Sequence, residues 1–471
     1  MPHTFKQPFS VHPGAAQGAS SPPTAQASAN RRQWLQAALG SAALGTASMW
    51  ATPAAWAQSR RATGTDSDGR LVVVFLRGAY DGLSALVPHG DDHYYTLRPT
   101  IAIPRPNGTP QSAIALDATF GLHPALAPLL PLWQSGVLGV IPSAGSPDPT
   151  RSHFDAQHHW ETGIPGKSSS ADGWMNTLAG LRAAPSATST ASSTRAPAMA
   201  IGVGEANPLI LAGNAPVQLV PRGEAATRQG ALGDTRTHDA VMKLYAGNDA
   251  LSRSFRAGAD SRMQTAETLK MESESLAMQA TAGETMDDPV MRAANNGAGA
   301  AKGLLLDARH LGTLMRQNRR LTLGFLSAGG WDTHANQGNA TGALANNLAN
   351  LAAALVQLRR DFSQANDVVL VCSEFGRTSA ENGTRGTDHG HGNALWLMGN
   401  RVQGGRWHGR WTGLANDKLN QGRDLPVHHD FRAVLAQVLR ATQGVAAKEL
   451  DVLFPGFAWD AELDEVMRAF Y

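Results

Sequence analysis

The chain has 471 residues, 42% hydrophobic and 17% charged, with a net charge of +2. That length supports one large domain or two, and so small a charge, with Lys and Arg scattered rather than striped, argues against a nucleic-acid partner. The only cysteine, Cys372, excludes an internal disulfide and a cysteine-built zinc site.

Residues 1–57 read as a targeting segment. Asn30-Arg31-Arg32-Gln33-Trp34-Leu35 carries a twin-arginine pattern, Ala37 to Trp50 is mildly apolar, and Ala55-Trp56-Ala57 is a small-x-small cleavage site. An amphipathic helix of the mature domain is the alternative, and the Ser/Ala/Pro-rich leader before it argues against that. The apolar run falls short of the roughly 20 residues that span a bilayer, and no later segment comes closer. The expectation is export by the twin-arginine (Tat) translocase and a mature chain from near Gln58. The protein would then be periplasmic or secreted, without stable membrane insertion.

Five apolar runs follow. They are Leu71-Val-Val-Val-Phe-Leu76, Val137-Leu-Gly-Val-Ile141, Met199-Ala-Ile-Gly-Val203, Leu321-Thr-Leu-Gly-Phe-Leu326 and Asp367-Val-Val-Leu-Val-Cys-Ser373. Continuous rather than alternating apolar character marks strands covered on both faces, as in parallel sheets. Between the last two, Leu344, Leu348, Leu351, Leu355, Leu358 and Phe362 recur at spacings of four and three, the stripe of one helix. Strand, helix, strand is a βαβ unit whose strands should be parallel neighbours or near neighbours. Residues 58–471 therefore predict an α/β domain, a mostly parallel sheet sandwiched by helices. Lys167 to Ala198 reads as a surface excursion around one docked helix at Gly173 to Leu178, and about 237–317 as a helical insertion.

Each strand end delivers polar residues. After the first comes Arg77-Gly-Ala-Tyr-Asp81. After the second, Arg151-Ser152-His153-Phe-Asp155 enters a helix that runs to Glu161-Thr-Gly-Ile-Pro165. After the fourth comes Trp331-Asp332-Thr-His334. After the fifth, Glu374-Phe-Gly-Arg377-Thr378 leads on to Asp388-His389-Gly-His391-Gly-Asn393. In open α/β sheets ligands bind where the carboxyl ends of strands meet. Asp388, His389 and His391 offer oxygen and imidazole ligands for a divalent metal, and Asp332 and His334, two apart, share a strand face or chelate together in a turn. Each has a plainer role as well: Asp81 in a turn, Ser152 or Asp155 as a helix cap, Asp332 as a cap, the Asp-His-Gly-His-Gly run as a solvated loop. Shared placement at one sheet edge favours a common crevice, with the side chains converging within roughly 10 to 12 Å.

Together, the segments Leu71 to Leu83, Arg151 to Asp155, Gly330 to His334, Glu374 to Thr378 and Gly386 to His389 resemble the DUF1501 family of exported bacterial proteins, over essentially the whole mature chain. That resemblance implies an alkaline phosphatase-like fold, shared with the sulfatases. It also implies a metal-bearing Asp81 and a nucleophilic Ser152 on a helix running to Thr162-Gly-Ile-Pro165. Two departures stand out: the shorter Asp332-Thr-His334 where Asp-x-x-x-His is usual, and Glu374-Phe-Gly376 where Asp-His-Gly is usual. Phe375 cannot bind a metal, Asp388, His389 or His391 offers a ligand in its place, and a full two-metal site gives way to an expectation of one metal or none.

The expected ligands of a divalent ion (Zn, Mn, Ca or Mg) are thus Asp81, Asp332, His334, Glu374, Asp388, His389 and His391. Arg77, Arg151 and Arg377 would hold an anion, and His153 is the nearest acid or base. The function this implies is an exported metal-dependent hydrolase of phosphate or sulfate esters, acting on a small anionic ester. The alternative is a non-catalytic exported protein that keeps the fold and binds a surface polymer or a protein partner; Phe375 favours it.

Overall fold

A computed structural model describes residues 69–166, 170–183, 198–204, 208–281 and 301–468. Arg31, Arg32 and the expected cleavage site at Ala55 to Ala57 lie outside the described residues. The main sheet has eight strands: β1 (Leu71–Leu76), β2 (Leu138–Gly145), β3 (Ala200–Gly204), β4 (Val217–Pro221), β5 (Leu323–Ala328), β6 (Val368–Cys372), β7 (Asn393–Gly399) and β8 (His429–Asp430). Their spatial order is β8-β2-β7-β6-β1-β5-β3-β4. All run parallel except β7, which is antiparallel to both β2 and β6.

β1 explains the sandwich residue by residue. Its six residues are all buried because successive side chains point to opposite, equally covered faces. Val72, Val74 and Leu76 join a core with helices at Leu304–Gln317 and Ala343–Asp361, through Leu311, Met315, Leu348 and Leu355. Leu71, Val73 and Phe75 join the opposite core, built from Trp160, Trp174, Leu178, Phe431 and Val434. Each such side chain removed from water contributes about 1.5–3 kcal/mol. β1 lies between β5 and β6 and is parallel to both, so the strands of the βαβ unit are near neighbours with one strand between them.

Helices also occupy Thr235–Leu244 and Ala250–Thr281, within the region read as helical, and Trp174–Ala183 forms the docked helix of the surface excursion. Three strands of this sheet go beyond the five read from sequence, β4, β7 and the two-residue β8, and so does a small second sheet of Leu86–Val87, Ile114–Ala115 and Gly121–Leu122. Among the described residues no helix is long and apolar enough to cross a membrane.

Candidate metal centre

The loops leaving β1, β2 and β5, and the single loop that leaves β6 and enters β7, meet at one edge of the sheet. Close backbone packing builds the floor. Gly78 has φ of +114°, and a Cβ there would lie 2.8 Å from the Asp332 nitrogen, so only glycine lets the first and third of these loops touch. The α-helix α1 (His153–Thr162) starts on this floor with Ser152 as its N-cap.

Three imidazoles converge above it. His153 Nδ1 lies 2.8 Å from Glu374 Oε1, His334 Nδ1 3.1 Å from Asp388 Oδ1, and His389 Nδ1 2.9 Å from the Arg151 carbonyl oxygen. All three partners are acceptors, so each Nδ1 carries a hydrogen, and a ring that is neutral keeps its lone pair on Nε2. All three Nε2 atoms face Asp332. His334 Nε2 is 3.0 Å and His389 Nε2 3.2 Å from Oδ1, while His153 Nε2 is 3.5 Å from Oδ2. One ligand atom from each of His153, Asp332 and His389 lies within 4.8 Å of the others.

These donors fit a metal ion. Ligands about 2.0–2.1 Å from one tetrahedral ion stand roughly 3.3 Å apart, a spacing that the three distances from Nε2 to Asp332 match, while the His153, Asp332 and His389 set spans up to 4.8 Å. His334 Nε2 and His389 Nε2 are 3.0 Å apart, where two lone pairs repel unless a proton or a cation lies between them. His153 Nε2 is buried without a hydrogen-bond partner, an orphan that a cation would satisfy.

The groups behind the rings are charged and fixed. Burial alone would raise the pKa of Glu374, but hydrogen bonds from His153 and Gln157 outweigh it and hold the acid below its ordinary range. Its two oxygens also accept from the Gly78 N–H and from Ser373 Oγ, each at 2.8 Å. The same contact raises the pKa of His153, whereas burial lowers that of His389. Asp332 is likewise held ionised: burial opposes this, and Arg377, whose Nη2 is 2.5 Å from Oδ1, overrides it. Phe375 stacks on His153 at 4.9 Å between ring centres and packs with Ala79 and Ala156, making the side beneath the rings dry.

The structure thus brings His153, Asp332, His334 and His389 together, with Glu374, Asp388 and Arg377 one contact behind. Other expected residues serve elsewhere. Asp81 is a buried ion-pair partner instead of a ligand: Arg98 Nη1 donates to its Oδ2 at 2.6 Å, with Ser84 and Gln337 adding hydrogen bonds. His391 Nε2 lies 3.0 Å from the Ser146 carbonyl. Ser152 Oγ accepts the Asp155 N–H at 3.4 Å, as a cap does. Arg377 donates to the carbonyls of Gly78, Ala79, Trp331 and Thr387 as well as to Asp332, so it clamps loops instead of awaiting an anion. Arg77 donates to Gln157 and Glu161.

Sequence reasoning missed Gln157, Gln337, Arg98 and Asn382, whose Nδ2 donates to Asp388 Oδ1 at 3.0 Å. Gln157 had a signal, four residues past His153 on the same face of α1; Arg98 had none.

Two solved structures are similar at a distance. The alkaline phosphatase from the Antarctic bacterium TAB5 covers 80% of this chain and 99% of its own at 11% identity, with a TM-score of 0.31. A mutant of that enzyme with Mg bound in its M3 site covers 80% and 98%, at 11% identity and a TM-score of 0.30. Neither likeness is close enough to decide an activity. No curated protein matches the sequence. Residues 133–453 match the family described as "Protein of unknown function (DUF1501)", and the chain belongs to that family.

Proposed function

We propose that this DUF1501 protein is a metal-dependent hydrolase of anionic esters, phosphate or sulfate, and that His153, Asp332, His334 and His389 hold one divalent ion. One observation carries the reading: three rings give their Nδ1 hydrogens to fixed acceptors and turn Nε2 toward one carboxylate. Three imidazoles and one carboxylate suit zinc better than calcium or magnesium, which take oxygen ligands. When bound, such an ion supplies Lewis acidity toward an ester oxygen and a water that ionises near neutral pH.

The chain's own residues do the rest. Glu374 and Asp388 keep two rings in the ligating tautomer and make them more basic, Arg377 fixes the Asp332 carboxylate, and Phe375 excludes water from below. Asp332 and His334 have side chains 44% and 43% exposed, so a substrate can reach them from solvent.

The test is metal analysis of the wild type and of His389→Ala and Asp332→Ala, with assays on 4-nitrophenyl phosphate and sulfate before and after chelation. The reading expects about one equivalent of metal, lost in both variants, and turnover that disappears with it. A wild type that neither contains nor rebinds metal would overturn it. Full metal with no turnover of either ester would favour the second reading, a binding protein that keeps the fold. What supports that second reading is Arg377 and Arg77, both committed to protein acceptors.

Export by the twin-arginine route belongs to the same proposal, supported by Arg31, Arg32 and Ala55-Trp56-Ala57. Replacing both arginines by lysine should hold the precursor in the cytoplasm, and undiminished export would end the claim.

A further inference from the structure

We propose that Arg151 and Arg423 form a second anion subsite beside the metal centre, so that the preferred substrate carries at least two closely spaced sulfate or phosphate groups. The inference deepens the hydrolase reading and rests on it only for the group bound at the metal.

His389 joins the two sites. Its Nδ1 donates to the Arg151 carbonyl oxygen at 2.9 Å, and its own carbonyl accepts from Arg423 Nη2 at 2.5 Å. The two guanidinium groups share one counter-charge. Arg151 Nη2 is 3.3 Å and Arg423 Nη2 3.6 Å from Oδ2 of Asp424, a fully buried carboxylate. The other oxygen of Asp424 accepts from Asn420 at 3.2 Å. Asp424 is the one buried carboxylate between the two guanidiniums, and the exposed Asp388 also feels the charge of Arg423.

Both arginine side chains reach solvent, at 34% and 38% exposure, whereas that of Arg377 is wholly buried. Their contacts to Asp424 are long for charge-assisted bonds, which run about 2.7–2.9 Å. Arg151 Nε is buried without a hydrogen-bond partner, and its remaining contact is to Gln421 Oε1 at 3.2 Å. Two guanidiniums that share one buried acid at long range, on either side of His389 and each about a third exposed, can offer their solvent-facing N–H groups to an anion. A polysulfated or polyphosphorylated chain can place one group over Asp332 and His334 and the next between these arginines.

The experiment uses the full chain and two probes, inorganic sulfate and a dextran sulfate oligomer, with binding followed by calorimetry at several salt concentrations and metal content measured in parallel. The oligomer should bind the wild type more tightly than sulfate does. The R151Q/R423Q variant should lose about tenfold in oligomer affinity for each charge-assisted bond removed, with a shallower salt dependence, and R151Q should keep its metal content. Because the Arg151 contact to His389 is made by the backbone carbonyl, R151Q alone leaves that ligand's support intact and serves as the check on folding; it should show about half of the loss in free energy. R151K/R423K should recover part of the affinity.

Oligomer binding equal in the wild type, R151Q and R151Q/R423Q would overturn the subsite. A wild type without metal that still loses oligomer binding in R151Q/R423Q would overturn the hydrolase reading and leave the subsite standing.

Discussion

Glu374 Oε1 accepts the Nδ1 hydrogen of His153 at 2.8 Å, and this contact decides which nitrogen of the ring faces Asp332. The carboxylate is buried, and Gly78, Gln157 and Ser373 donate to it as well. An acid so placed orients a ligand without being one.

Glu374→Gln brings an amide N–H₂ into a pocket lined entirely by donors. Metal affinity should fall by about 10- to 100-fold, the usual effect of losing a carboxylate behind a ligating histidine. Competition against a chromophoric chelator measures it, and unchanged affinity would detach Glu374 from the site.

Metal should also stabilise the fold. Ion at 100 times its Kd adds about 2.7 kcal/mol to a folded state that alone binds it. Thermal melts with excess zinc and with chelator should therefore separate for the wild type and coincide for His389→Ala; separation in both would move the binding site elsewhere.

Acid should weaken the protein through His123, far from the rings. This buried residue uses both nitrogens in the neutral form: Nε2 donates to the Asn339 carbonyl at 2.9 Å and Nδ1 accepts the Ala125 N–H at 3.0 Å. Burial pushes its pKa down to about 4 from 6.5. The unfolded chain therefore takes up the proton first as pH falls, so the contribution is complete above 6.5 and is lost progressively toward 4. The loss amounts to about 3 kcal/mol. Urea unfolding at pH 7 and pH 4.5 should show a shallower decline for His123→Asn than for the wild type, and equal declines would exclude the role.

Asp81→Ala should cost about 3–5 kcal/mol, because it leaves the guanidinium of Arg98 buried and unpaired. Adding Arg98→Met should restore part of the denaturant midpoint; additive losses would show that the pair is not coupled.

Much of this architecture is legible in the sequence, and particular residues show where legibility stops. β1 and β6 are readable because each is an apolar run without interruption, β5 because leucine and phenylalanine dominate it despite Gly324 and Ser327, and the helix between β5 and β6 because its leucines keep a period near 3.6. β7 hides behind a glycine-rich motif, and its reversed direction depends on β2 and β6, which no local pattern encodes. Motifs single out Asp332, His334, Asp388 and His389 as polar residues at strand ends. The nitrogen that each ring presents depends on partners as distant as Glu374 is from His153, 221 positions along the chain. Asp81 shows the reverse: a residue type suited to a metal, claimed by an arginine 17 positions away that carries no pattern of its own.

The position of β1 has a consequence for biosynthesis. Val73 pairs with Phe325 on one side and with Leu370 on the other, so the first strand made is among the last to find its neighbours. At roughly 5–20 residues per second on the ribosome, the wait lasts on the order of tens of seconds. Throughout it, Leu71-Val-Val-Val-Phe-Leu76, without charge, proline or glycine, exposes two open edges of the kind that stack with copies of themselves. Until residue 368 is made, this strand is the segment of the nascent chain most in need of shielding, and a product truncated before that point is expected to aggregate, as light scattering would show.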